Sequence, residues 1–139
     1  MVSKARVQKI IEIKSQSSEL GKVCRQILAE AASSSFSGDD IFAIHLALEE
    51  AFVNAVKHGN KNDSNKKVSI DYSITDDKFE ITVSDEGQGF HPDGVADPRS
   101  DENLCKSTGR GLLLIRSYMD KVEYSQKGNA IFMVKNKTR

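Results

Sequence analysis

The spacing of apolar residues changes several times along the chain, and each change marks a boundary between elements. Ile11 and Ile13 alternate with Glu12 and Lys14, the period of a short half-buried strand, and the run stops at the polar break 15–18. From Ser18 to Ala32, Leu20, Val23, Cys24, Ile27 and Leu28 recur at steps of three and four, which predicts an amphipathic helix with Ser17 or Ser18 as its cap. Small residues at 33–38 break the chain, and Asp39 or Asp40 is placed to cap a second helix. Its inward stripe would be Ile41, Ile44, Leu48 and Ala55, and it should end near Gly59.

After a polar turn at 60–67 the period returns to two. Val68, Ile70, Tyr72 and Ile74 alternate, Asp76 and Asp77 mark a turn, and Phe79, Ile81 and Val83 alternate again, so the pair reads as a hairpin. Residues 85–108 carry glycines, prolines and charges with little periodicity. Loops of that length inside a compact domain are usually lids or binding loops. A third helix is expected from about Arg110 to Asp120, and a last hairpin from Val122–Tyr124 and Ala130–Val134 around Lys127, Gly128 and Asn129. The order strand, helix, helix, hairpin, lid, helix, hairpin predicts an α+β, two-layer α/β sandwich. Its helices would lie on one face of a mixed, mostly antiparallel sheet, in a single domain spanning 1–139 with a lid at about 90–108.

Composition narrows the partners. The 139 residues hold 20 Lys plus Arg and 20 Asp plus Glu, so no overall field draws nucleic acid or anionic lipid to the surface. Cys24 and Cys105 lack the closely spaced Cys or His of a zinc site, and no stretch of about 18 apolar residues suggests a span. A reduced, cytoplasmic chain without membrane or nucleic-acid contacts is the simplest expectation.

Candidate chemistry begins on the second helix, where Glu50, Asn54 and His58 are each four residues apart and should share a face beside Lys57. A carboxamide oxygen at Asn54 can ligate Mg²⁺, and a carboxylate one turn away at Glu50 can orient or deprotonate a nucleophile; a solvated helix face is the plain alternative. Asp85 continues the period of Phe79, Ile81 and Val83, so its carboxylate should project toward the helices, where it needs a partner. The exocyclic amine of adenine is such a partner, and Gly87 and Gly89 would let the backbone approach the base. An ordinary strand-closing turn is the alternative there. Thr108, Gly109, Arg110 and Gly111 stand where the loop becomes a helix, and amides at a helix start can hold phosphates. His45 reads as a partly buried structural histidine rather than a phosphoacceptor.

Together, Glu50-Ala-Phe-Val-Asn54-Ala-Val-Lys-His58-Gly59, Asp85-Glu-Gly87-Gln-Gly89 and Thr108-Gly109-Arg110-Gly111-Leu112 resemble the three boxes of the gyrase and histidine kinase ATPase superfamily. The resemblance runs from about Ile10 to Val134 and implies a Bergerat-type ATP-binding fold. The small size, the run Leu46-Ala-Leu-Glu-Glu-Ala and the pair Met119-Asp120 are similar to the anti-sigma-factor serine kinases. By that resemblance Asn54 ligates Mg²⁺, Glu50 is the candidate general base in preference to Glu49, and Asp85 reads adenine. Gly87, Gly89, Thr108, Gly109, Arg110, Gly111 and Leu112 would shape the ATP-binding loops, with Lys57 and His58 as further phosphate contacts.

The resemblance implies a serine on a small anti-anti-sigma-type protein as substrate, a sigma factor as a second partner, and a homodimer. Two other functions fit the same boxes. One is an ATP-gated protein-binding switch with little turnover; the other is a histidine kinase catalytic domain detached from its phosphoacceptor.

Overall fold

The computed structural model of the chain describes residues 5–87 and 115–138. The expected lid at 90–108, the start of the third helix and Cys105 lie outside the described residues. The elements are β1 (Ala5–Lys14), α1 (Ser17–Ser33), α2 (Gly38–Val53), a π-helical turn (Asn54–Gly59), β2 (Lys67–Thr75), β3 (Lys78–Ser84), β4 (Lys121–Tyr124) and β5 (Ala130–Asn136). Residues 115–118 are also helical, within the third helix predicted from the sequence.

The five strands form one sheet in the order β1-β2-β3-β5-β4, and every pairing is antiparallel. The sheet is therefore not mixed among the described strands. The segment after β3 does return in the direction of β3, as a parallel crossover would. It returns as β4 on the far side of β5, however, so the two parallel strands never touch.

β1 has ten residues rather than the few around Ile11 and Ile13. The sequence pattern breaks early because Lys9, opposite Tyr72 in the ladder, occupies an inward position where alternation calls for an apolar residue. Its ammonium reaches Glu30 on α1 at 2.7 Å. Glu30 also accepts the Tyr72 hydroxyl, which in turn receives an N–H from Gln26 at 3.3 Å. This polar link fastens α1 to the sheet, and burial together with the Glu30 contact pushes the Tyr72 phenol above its ordinary pKa.

The core lies between the helices and one sheet face. Val68, Ile70, Tyr72 and Ile74 of β2 and Phe79, Ile81 and Val83 of β3 are buried at alternate positions, against Leu20, Val23 and Ile27 of α1 and Ile44, Leu48 and Phe52 of α2. Each such side chain removed from water contributes roughly 1.5–3 kcal/mol. Ile41, expected inside, is only half-buried, because the deeply buried face of α2 runs through Ala43, Ala47 and Ala51. These small side chains allow close approach to the neighbouring layer.

The helix caps differ from the sequence reading. α1 starts after Gln16, which is extended and makes no side-chain cap, so neither Ser17 nor Ser18 has that role. α2 is capped by Ser37, whose hydroxyl accepts the Asp40 N–H at 3.1 Å. That leaves the Asp40 carboxylate, 1 % exposed, to a different task. It accepts the Thr138 N–H at 2.8 Å and hydroxyl at 2.6 Å, while Lys137 donates to the Ser34 carbonyl at 2.7 Å and lies over the Phe36 ring. The C-terminal residues are thereby strapped onto the start of α2.

Burial disfavours the charged form of Asp40, but the bonds from Thr138 and Ser37 and the nearby Lys135 outweigh it and hold its pKa below the ordinary value. A depressed carboxylate pKa supplies stability above the unfolded-state pKa, and that stability is lost as the pH falls through the folded one. Asp40→Asn should therefore cost about 2 kcal/mol in urea unfolding at pH 7. The deficit should shrink toward zero below about pH 4, and an equal deficit at both pH values would contradict this assignment.

Candidate functional site

The sequence predicts one helix ending near Gly59, but regular α-helix stops at Val53 and the last turn widens. The Asn60 N–H reaches the Ala55 carbonyl at 2.8 Å, five residues back, and the Asn62 N–H reaches Val56 at 2.8 Å. Such wide turns recur at functional sites because they re-aim side chains without ending the helix. Lys61 and Asn62 then take left-handed φ angles of 52° and 61°, turning the chain back toward β2.

Asn60 makes that exit rigid. It is fully buried, its side-chain NH₂ donates to the Lys67 carbonyl at 3.0 Å, and its oxygen accepts the Glu86 N–H at 2.8 Å. Glu86 replies by accepting the Lys67 N–H. One carboxamide thus joins the helix end, the start of β2 and the loop after β3.

Inside this junction Gly59, Asp85 and Gly87 meet with no space for another carbon. A Cβ on Gly59 would lie 2.2 Å from Cγ and Oδ2 of Asp85, and one on Gly87 would lie 2.1 Å from the Gly59 carbonyl oxygen. The Gly87 N–H donates to Asp85 Oδ1 at 2.8 Å. Burial pushes the Asp85 carboxyl above its ordinary pKa, while the Gly87 N–H and the charges of Lys66 and Lys127 oppose that shift. A desolvated carboxyl at the end of an apolar strand row is suited to recognising one donor group.

That carboxyl opens on a cavity of about 450 Å³, a size suited to a small-molecule ligand. Val83, Ile131, Ala51 and Ala55 give it apolar walls, and Lys57, His58 and Lys61 also line it. Asn54 lines it as well, and its side-chain oxygen is buried with no hydrogen-bond partner among the described residues. A buried amide oxygen left unpaired is costly, and a hard cation is the kind of ligand that would satisfy it.

The structure brings Asn54, Asp85, Lys57 and His58 to one cavity, but Glu50 lines a neighbouring groove of about 440 Å³ between α1 and α2. Four residues advance a helix by about 40° beyond a full turn, which rotates Glu50 toward α1. Lys57 borders both spaces. Gly87 is required for the approach to Gly59, whereas the sequence reading had reserved that freedom for the ligand. His45 is half exposed and pairs with Glu49 at 2.9 Å along the helix. Gly89, Thr108, Gly109, Arg110, Gly111 and Leu112 lie outside the described residues. Sequence reasoning passed over Asn60, Tyr124 and Asn129, all at or beside the cavity. An Asn after a helix-ending glycine or inside a hairpin turn looks like ordinary punctuation.

Comparison with known proteins gives the family of the chain. Residues 13–135 match the model of the histidine kinase-like ATPase domain. The chain is 33 % identical over 112 residues to the serine-protein kinase RsbW of Listeria monocytogenes, covering 76 % of this chain and 71 % of that one. It is 29 % identical over 132 residues to RsbW of Bacillus subtilis, covering 90 % and 82 %. A crystal structure of RsbU and RsbW domains from Mycobacterium tuberculosis superimposes with a TM-score of 0.63 at 16 % identity, over 94 % of this chain and 32 % of that longer one, a likeness of fold. The chain belongs to the histidine kinase-like ATPase domain family and, within it, to the group of the RsbW serine-protein kinases.

Proposed function

We propose that the chain is an anti-sigma-factor-type serine kinase that binds Mg-ATP in the 450 Å³ cavity and phosphorylates a serine on a small anti-anti-sigma-type protein. The observation that carries this is the pairing, in one cavity, of the Asn54 oxygen, buried without a partner among the described residues, with the desolvated Asp85 carboxyl. The two groups suit opposite ends of a nucleotide, a metal-bound phosphate chain and an adenine amine.

In this reading Asp85 accepts from the adenine amine, the apolar walls cover the base, and Lys57, His58 and Lys61 face the phosphates. Asn54 is the residue that would hold Mg²⁺, which when bound neutralises charge on the phosphate oxygens. The acceptor serine oxygen forms a bond to the γ-phosphorus as the bond to the β-γ bridging oxygen breaks. Glu50 orients the hydroxyl and takes its proton, and ADP leaves. Gly89, Thr108, Gly109, Arg110, Gly111 and Leu112 complete the nucleotide loops in this proposal. β1 supplies a sheet edge with Ile10 74 % exposed on it, which supports pairing with a second copy. A sigma factor is the proposed second protein partner.

One observation favours a second reading. Glu50 borders the α1–α2 groove instead of the nucleotide cavity, as suits a nucleotide-gated switch in which partner binding matters more than turnover. The two readings separate on one variant. Glu50→Gln should keep ATP affinity within about twofold and lower phosphate transfer at least a hundredfold, measured with labelled ATP and the partner. An active Glu50→Gln protein would point to the switch.

Asn54→Ala should weaken Mg-ATP binding at least tenfold while changing metal-free ATP binding much less, in calorimetric titrations with and without Mg²⁺. Gly59→Ala places a carbon where the Asp85 carboxyl lies. It should abolish measurable ATP binding while the chain still unfolds cooperatively, and near-normal binding would contradict the role given to Asp85.

A further inference from the structure

The turn between β4 and β5 is tied to the nucleotide cavity by a short chain of polar contacts. The Ser125 hydroxyl oxygen accepts the N–H groups of Gly128 and Ala130, each at 3.2 Å, and the hydroxyl donates to Asn129 Oδ1 at 3.3 Å. With its oxygen occupied in this way, the Asn129 carboxamide can present only its NH₂ to the other side. That NH₂ donates to the Asp85 carbonyl at 3.3 Å, and the main-chain carbonyl of Asn129 accepts the Asp85 N–H at 2.9 Å. Gly128 makes the turn possible with φ at 82°, a value that side-chain-bearing residues rarely adopt.

This matters because strand pairing has already ended. β3 stops at Ser84, whose partner is Ala130, and Asp85 is the first residue beyond that ladder. Its two backbone polar groups are nevertheless both held, and one residue holds them. On the other side its carboxyl is confined by Gly59 and the Gly87 N–H. Asp85 and Asn129 line the same cavity, so a shift of this backbone moves the carboxyl relative to whatever base lies there.

We propose that Asn129 is the positioning residue for base selection: by clasping both backbone groups of Asp85 from the β4–β5 turn, it sets the carboxyl where it accepts from an exocyclic amine. This rests on the reading of Asp85 as the adenine contact. The ligand class it selects is a purine with an amine at that ring position. A carbonyl there, as in guanine or hypoxanthine, would face the carboxylate acceptor to acceptor and be rejected. Ser125 acts one step further back by fixing the orientation of the Asn129 amide.

The test is competitive binding of ATP and of purine riboside triphosphate, which has the same ring and phosphates but no exocyclic amine. The wild-type chain, Asn129→Ala and Ser125→Ala are compared. The wild type should prefer ATP. Asn129→Ala should lower ATP affinity about fivefold, as expected for one lost hydrogen bond that aims another, and leave the amine-free analogue nearly unchanged, so that the preference falls by the same factor. Ser125→Ala should shift the preference in the same direction by a smaller factor.

A merely structural role would weaken both ligands equally. An unchanged preference in Asn129→Ala, against a discriminating wild type, overturns the proposal alone. Equal wild-type affinity for the two ligands removes Asp85 as the base contact and overturns the proposal with it. If Asn129→Ala does not fold, Ser125→Ala decides the matter by the same ratio.

Discussion

The contact on which the site depends is the meeting of Gly59, Asp85 and Gly87, where backbone and a carboxyl occupy space that any Cβ would need. It locks the end of the second helix against the loop leaving β3. Every other feature of the cavity is set relative to that contact. The helix brings Asn54, the strand row brings Asp85, and the distance between the proposed metal ligand and the proposed base contact is fixed where the two elements touch. Asn60 reinforces the junction with bonds to both Lys67 and Glu86. A fully buried carboxamide that both donates and accepts a hydrogen bond gives direction that apolar packing alone cannot supply.

The rest of the fold brings these two elements together. An antiparallel sheet buries one face under α1 and α2, and the outward positions of β2 remain polar or half exposed. The polar links at the layer boundary, Lys9 with Glu30 and Asp40 with Thr138, use none of the proposed nucleotide residues and tie the end of α1 to the sheet and the start of α2 to the C-terminal residues. In the proposed function, stability and ligand recognition thus use different residues. Substitutions at Asp40 act on the first and substitutions at Gly59 on the second.

Much of this was legible in the sequence because periodicity reports burial directly. The hairpin of β2 and β3, the two helices and the closing hairpin follow from alternation at two and at three to four. What periodicity could not see was geometry set by hydrogen bonds. Lys9 interrupts the apolar pattern of β1 although the strand continues, because an ion pair across the layers satisfies it. The wide turn and the exit after it are closed by bonds from the Asn60 and Asn62 N–H groups that no hydrophobic pattern encodes, and the offset of Glu50 from Asn54 appears only once the helix is built. The sequence singles out Asn54 and Asp85, which the structure brings to one cavity, because their residue types are unusual for their places. Asn60 and Asn129 were missed because asparagine is the expected residue in turns.

A crystal structure of the chain with Mg²⁺ and a non-hydrolysable ATP analogue tests the central claim most directly. The base should lie in the cavity with its exocyclic amine within hydrogen-bonding distance of the Asp85 carboxyl, and the metal should be bound to the Asn54 side-chain oxygen. A nucleotide seated instead in the α1–α2 groove, or a base facing away from Asp85, would contradict it.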